Sequence, residues 1–253
     1  MRSYLDTISS VLENIRLQSR RYEYNRSKYS HTSALHCSIS TTRPKEVMSF
    51  SSFKSLSETL KEFQITYAEE RFVQEVPFDV SDYFRQDLQL MMEDGVVDNS
   101  EYAICENLVY PVLKEVWKQY RQHFILWSHH FLTDEFKLSG FPEYILARRS
   151  PLGKVVFDKP YFLLVEAKQD NFEAAWAQCL SEMTVAQRIN DSPDMTVFGI
   201  TSNGHLWQFG KLQHTTFVSN RSFYTVQQLD QLFAAVNYIF QQCERQLETL
   251  VAA

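Results

Sequence analysis

The sequence predicts an α/β protein in which helices flank a mixed β-sheet, and three observations lead to this prediction. A helical pattern of apolar residues covers residues 99–119. Several short segments rich in aromatic and β-branched residues follow it. A second helical pattern, over residues 171–189, comes directly after the apolar run 161–165, and another strand-like segment follows. This order of elements fits an α/β sandwich built around a mixed sheet.

Residues 1–46 differ from the rest of the chain in composition. They hold eight Lys and Arg and four Asp and Glu residues, a net charge of +4, and they are rich in Ser. We expect a mobile basic tail there, in which one amphipathic helix could form near the start of the chain. An organelle transit peptide and a basic arm that binds nucleic acid are the alternatives.

Residues 47–253 are predicted to form a single domain, which begins with a helical extension. One helix starts at Ser55 or Ser57, and another starts at Ser81 and ends near residue 94. Asn99 or Ser100 would cap the long helix to about residue 119. Pro111 lies inside that helix, where proline costs about 3 kcal/mol, so we expect a kink or a break. A last helix covers about 226–250, outside the main core of 99–220.

The predicted strands cover residues 123–132, 144–147, 196–201, 205–209 and 214–219. Residues 154–157 and 161–168 form either one long strand with an irregularity at Pro160 or a hairpin. Asn203-Gly204 is a strong signal for a type I′ hairpin turn.

Composition and charge limit the possible function classes. The chain has 44% apolar residues, and no apolar run approaches the ~20 residues that cross a bilayer. Four cysteines without a C-x-x-C pair argue against a structural zinc site and fit a reducing compartment, so we expect a cytoplasmic protein. The net charge is −6, and residues 47–253, with 17 basic and 27 acidic residues, carry −10. Because phosphate contacts dominate nucleic-acid affinity, this charge predicts weak or local binding.

Two charged residues stand where the apolar run 161–165 ends. Glu166 and Lys168 are two positions apart, so on a strand they point to the same face. Burying such charges is costly unless they are paired or bound to something. Gln178 and Glu182 lie four positions apart on the next helix and therefore share a face.

These residues belong to a longer pattern. Pro142-Glu143 precedes Glu166-Ala167-Lys168, and Gln178 follows. Ser100-Glu101-Tyr102-Ala103 opens a helix upstream, and Thr201-Ser202-Asn203-Gly204 comes before Trp207 downstream. Over residues 99–210 the order and spacing resemble the PD-(D/E)xK nuclease superfamily, most closely the N-terminal nuclease domain of type I restriction motor subunits. Glu143 stands where the family more often has Asp.

The resemblance implies a restriction-endonuclease-like fold and a Mg²⁺- or Mn²⁺-dependent endonuclease, a hydrolase that acts on nucleic acid and prefers DNA. It also implies a possible homodimer, or a partner protein of a restriction or defence system. No membrane partner is expected.

In this scheme Glu143, Glu166 and the backbone carbonyl of Ala167 bind the metal, because Mg²⁺ takes oxygen ligands. The resemblance adds Glu101 beside the metal and places Gln178 at the site. Lys168 would orient the attacking water or stabilise charge on the phosphate. The catalytic set is therefore Glu143, Glu166, Lys168, Gln178 and Glu101.

Each assignment has an alternative. Glu166 and Lys168 could be a solvated pair at a strand end, Glu143 a turn residue, and Glu101 a carboxylate that stabilises a helix start, with Glu106 as its rival. Glu182 is interpreted as structural or solvated, and His129-His130 as a satisfied or exposed pair. At the level of function, the alternative is a catalytically inactive nuclease-fold protein that binds nucleic acid or protein.

Overall fold

A mixed sheet of eight strands lies at the centre of the structure, a computed structural model that describes residues 48–134 and 138–252, without the side chain of residue 252. The strands are β1 (Met48–Ser49), β2 (Thr66–Glu70), β3 (Phe124–Ser128), β4 (Leu132–Thr133), β5 (Leu138–Gly140), β6 (Tyr144–Arg149), β7 (Phe157–Ala167), β8 (Val197–Ser202), β9 (Leu206–Gln213), β10 (Thr216–Asn220) and β11 (Tyr224–Thr225). The predicted tail, residues 1–46, lies outside the described residues.

The large sheet has the order β2-β10-β9-β8-β7-β6-β3, with β11 paired to β9. Strands β7 and β8 run parallel, as do β10 and β2, while the other neighbours in this sheet are antiparallel. Strands β1, β5 and β4 form a separate small sheet. The class predicted from the sequence, a mixed sheet flanked by helices, is therefore confirmed.

The helices are α1 (Leu56–Phe63), α2 (Asp82–Asp94), α3 (Glu101–Ile104), α4 (Tyr110–Tyr120), α5 (Phe172–Asn190) and α6 (Leu229–Ala252). Helix α5 connects the parallel strands β7 and β8 and packs on both, and α1 packs on α5. Helix α4 packs against α6 and β3. In the described part of the chain, every helix is too short or too polar to cross a lipid bilayer.

The helix starts follow from capping. The side chains of Ser55, Ser81 and Ser100 each accept a hydrogen bond from a backbone N–H in the first turn of the following helix. The predicted break near Pro111 is also present, because a π-helical segment, Cys105–Val109, separates α3 from α4. Proline then sits in the first turn of α4, where it needs no backbone donor.

The structure differs from the sequence predictions in four places: three predictions need correction or completion, and one strand was missed. The strand predicted over 123–132 ends at Ser128, because His129 adopts a positive φ of 48°. Of the two alternatives for residues 154–168, the single strand is observed, but it is shorter: β7 covers Phe157–Ala167 and includes Pro160, while residues 154–156 and Lys168 lie outside it. Strand β2 was not predicted. It is an exposed edge strand without a strong apolar pattern, and only its pairing with β10 identifies it.

The turn at Asn203-Gly204 is the fourth case, and the type I′ prediction is wrong. A type I′ turn needs positive φ at both central residues, and only Gly204, at 84°, has it. Asn203 instead accepts hydrogen bonds with its side-chain oxygen from the N–H groups of His205 and Leu206.

Candidate active site

Strand β7 carries a fully buried carboxylate near its end. The side chain of Glu166 has no exposed surface. Within the described residues, neither of its oxygens has a hydrogen-bond partner. Burial raises the pKa of Glu166 to about 8, although the nearby Lys168 lowers it. A carboxylate held in this way favours a proton or another cation.

Lys168 supplies the nearest positive charge. Its Nζ forms an ion pair with Oε1 of Glu166 at 2.9 Å and donates a hydrogen bond of 3.0 Å to Oε2 of Glu101. Its backbone N–H donates to the carbonyl of Ser202, which continues the pairing of β7 with β8. Burial by itself lowers the pKa of Lys168, but Glu166 and Glu101 together raise it above its ordinary value. The two glutamates therefore favour the protonated form of Lys168.

Glu101 reaches this pair from α3. It is the first helical residue after the cap Ser100, and its side chain is 42% exposed. The structure thus brings three of the predicted site residues, Glu101, Glu166 and Lys168, into one contacting group. Glu106, the rival of Glu101, takes no part in these ion pairs.

Glu143 lies just before β6, beside the end of β7. Tyr144 pairs with Val165 in the antiparallel register, so the next position along brings Glu143 beside Glu166. The charge of Glu143 contributes to the raised pKa of Glu166. Glu143 thus lies at the same end of the sheet as Lys168.

Sequence reasoning missed the partner of Glu143. Nε2 of His129 lies 2.7 Å from Oε2 of Glu143, and the thiol of Cys105 donates to the same oxygen at 3.4 Å. His129 leaves the strand geometry of β3 through its positive φ, which a strand prediction could not anticipate. His129 is thus a satisfied and partly exposed histidine, as expected from the sequence, although its partner Glu143 was not anticipated.

Gln178 and Glu182 approach the same region from α5. Nε2 of Gln178 donates a hydrogen bond of 3.2 Å to Oε1 of Glu182, while Oε2 of Glu182 has no partner within the described residues. Glu182 is fully buried, so of its two interpretations the solvated one is wrong and the structural one remains. Burial raises its pKa well above the ordinary value, and the charge of Glu166 adds to this effect. Gln178 therefore reaches the site through Glu182.

The low amphipathicity of α5 was the available signal for this burial. Every residue from 175 to 186 except Gln178 is buried, so this helix is covered on nearly all sides. A carboxylate within such a helix cannot reach solvent. The spacing of Gln178 and Glu182 then identifies the hydrogen-bond partner.

The remaining predicted ligand is the carbonyl of Ala167. This residue is buried, ends β7 and pairs with Ser202 of β8. Across residues 48–134 and 138–252, no three His, Cys, Asp or Glu side chains are grouped so that they could hold a metal ion as they stand. Glu143 is engaged by His129, and Glu101 is engaged by Lys168.

Comparisons of the chain with models of known protein families and with curated proteins find no match.

Proposed function

We propose that this chain hydrolyses phosphodiester bonds of nucleic acid, with DNA preferred, in a metal-dependent reaction on a restriction-endonuclease-like fold. One observation carries the proposal. Glu166 is fully buried at the end of a central strand, with Oε1 in an ion pair of 2.9 Å with Lys168 and with Oε2 lacking a hydrogen-bond partner among the described residues. The ion pair offsets only part of the cost of burying this carboxylate, and a bound metal ion would offset the rest.

The donor set suits Mg²⁺ or Mn²⁺. Glu166 offers Oε2, which has no hydrogen-bond partner among the described residues, and Oε1, which faces Lys168; Glu143, Glu101 and the carbonyl of Ala167 are the further candidate oxygen ligands. A divalent ion at this position would neutralise charge on the phosphate and lower the pKa of a bound water.

The residues of the chain have separate roles in this proposal. Lys168 is held protonated between two glutamates, so it acts as a positive charge beside the phosphate and not as a base. His129 orients Glu143 through the contact of 2.7 Å between its Nε2 and Oε2 of Glu143. Gln178 holds Glu182 behind the site, which keeps this second buried carboxylate in a fixed position.

The test compares Glu166→Gln with Lys168→Ala, using Mn²⁺ with plasmid, single-stranded DNA and RNA. Glu166→Gln should remove metal binding and cleavage together. Lys168→Ala should keep metal binding, while cleavage falls roughly a hundredfold, the scale of losing one group that stabilises transition-state charge. Lys159→Ala is the matched control, because Lys159 lies on the same strand and contacts the carbonyl of Ile189 at the end of α5.

The alternative function is a binding module that keeps the fold without the chemistry. Two observations favour it, the lack of a ready-made group of three ligands within the described residues and the charge of −10 over residues 47–253. Wild-type protein that retains DNA or RNA in a gel shift, but leaves all three substrates intact with Mn²⁺, would establish this alternative and exclude the nuclease.

A further inference from the structure

Aromatic side chains lie exposed around the candidate active site. Tyr102 is 69% exposed, Phe141 59% and Phe131 48%. Single exposed apolar residues are common on protein surfaces, but contiguous ones mark binding sites. Contacts through His129 and Glu143 connect these three residues to the candidate active site.

Two neighbouring segments of chain carry most of this surface. His129 contacts Glu143 at 2.7 Å. Phe131 lies two residues after His129, and Phe141 lies two residues before Glu143. The rings of these two phenylalanines are in contact, with 5.2 Å between their centroids. Two positions along an extended chain correspond to about 7 Å. The exposed phenylalanine pair therefore lies directly beside Glu143.

Tyr102 is the third exposed aromatic residue, and it contacts His129. It follows Glu101 in the chain, and its ring stacks on that of His129, with centroids 6.1 Å apart and planes at 30°. We call Tyr102, His129, Phe131 and Phe141 the aromatic platform. It adjoins two of the proposed site carboxylates, Glu101 and Glu143.

The charge of the protein decides what such a platform can bind. Residues 47–253 carry −10, so contacts to a phosphate backbone contribute little affinity. Stacking of bases on aromatic rings does not depend on positive charge, and every base has a face to offer. In a duplex these faces are buried between neighbouring base pairs, whereas in a single strand they are free.

We propose that the aromatic platform binds unpaired bases, so that the substrate of this site is single-stranded nucleic acid. The inference rests on the proposed function, because the stacked bases would bring the adjoining phosphodiester to Glu143, Glu166 and Lys168. Stacking supplies the affinity that the acidic surface does not.

The binding experiment measures anisotropy of a labelled oligothymidylate and of a matched duplex, with Ca²⁺ in place of Mn²⁺. Phe131→Ala and Phe141→Ala should each weaken binding of the single strand about five- to a hundredfold. Phe223→Ala is the matched control, because Phe223 is also 59% exposed but follows β10, on the far side of the sheet from β6.

Salt dependence gives a second readout. In a plot of the logarithm of the association constant against the logarithm of salt concentration, each contacted phosphate adds about −0.7 to the slope. Because few phosphates are contacted, we expect a shallow total slope. A steep slope, equal binding by the phenylalanine variants and Phe223→Ala, or tighter binding of the duplex than of the single strand would each overturn the inference.

A substrate without bases separates this inference from the proposed function. An abasic oligonucleotide has the phosphodiester backbone but no aromatic ring to stack, so Phe131→Ala and Phe141→Ala should cleave it as wild type does while they lose cleavage of single-stranded DNA. Glu166→Gln should lose both reactions. If wild type hydrolyses neither substrate, the proposed function fails, and the binding experiment still decides whether the platform stacks bases. Equal loss of both reactions in the phenylalanine variants would overturn the platform alone.

Discussion

Gly204→Ala tests how the turn after β8 supports the helical segment that carries the site. Gly204 has a φ of +84°, and a Cβ placed there would lie 2.9 Å from Cβ of Leu108, with Cδ1 of Leu108 nearer still. Leu108 is fully buried in the π-helical segment that follows α3, the helix of Glu101. The substitution therefore presses the turn against the element that holds Glu101 beside Lys168.

Two costs add in this variant. A left-handed backbone conformation costs an L-residue roughly 1–2 kcal/mol, and inserting atoms into a packed contact costs about 1–3 kcal/mol. We expect a loss of about 2–5 kcal/mol in the free energy of unfolding, measured by urea denaturation at constant m-value. Gly153→Ala is the matched control, because Gly153 has a φ of +116° and nothing within 4 Å of the added Cβ. It should lose only the backbone part, about 1–2 kcal/mol.

A double variant isolates the packing contribution. Leu108→Ala alone should cost about 2–5 kcal/mol. It removes Cδ1 of Leu108, the atom nearest the added Cβ, but keeps Cβ of residue 108. The double variant should therefore lose less stability than the sum of the two single losses, by about 0.5–3 kcal/mol. The reasoning is refuted if Gly204→Ala is no more destabilising than Gly153→Ala, or if the double variant is additive.

Two further predictions concern the buried carboxylates. Mn²⁺ should raise the melting temperature of wild type, because a ligand that binds only the folded state stabilises it; an equal rise in Glu166→Gln, measured by calorimetry, would contradict a site at Glu166. Burial raises the pKa of Glu182 above its ordinary 4.5. Gln178 donates a hydrogen bond to its carboxyl group, and the charges of Glu166, Glu143 and Lys168 also act on this pKa. The folded state therefore binds its proton more tightly than the unfolded state. Its contribution to stability is fully present below pH 4.5 and is lost as pH rises towards the folded pKa. Glu182→Gln should consequently lose less stability than wild type between pH 5 and 8 in urea titrations, and identical pH profiles would exclude the effect.

Local patterns in the sequence determined much of this protein. The helix starts at Ser81 and Ser100 follow from a side chain that caps its own neighbours, and the break before Pro111 follows from a missing N–H. The proximity of Glu166 and Lys168 follows from the two-residue period of a strand. These features depend on residues close together in the chain, so no knowledge of the fold was needed to predict them.

Contacts between distant segments were decided by the tertiary structure alone. The sequence placed Glu143 near the site only through resemblance, and it did not indicate His129 as the partner, because a single positive φ after β3 redirects that ring. The sequence did not distinguish a buried Glu182 from a solvated one. Its burial results from the packing of α5 on β7 and β8. Strand β2 has too few apolar residues to be recognised and exists because β10 offers it an open edge. In each case the deciding interaction joins residues far apart in sequence, and its energy depends on burial and pairing that only the folded chain creates.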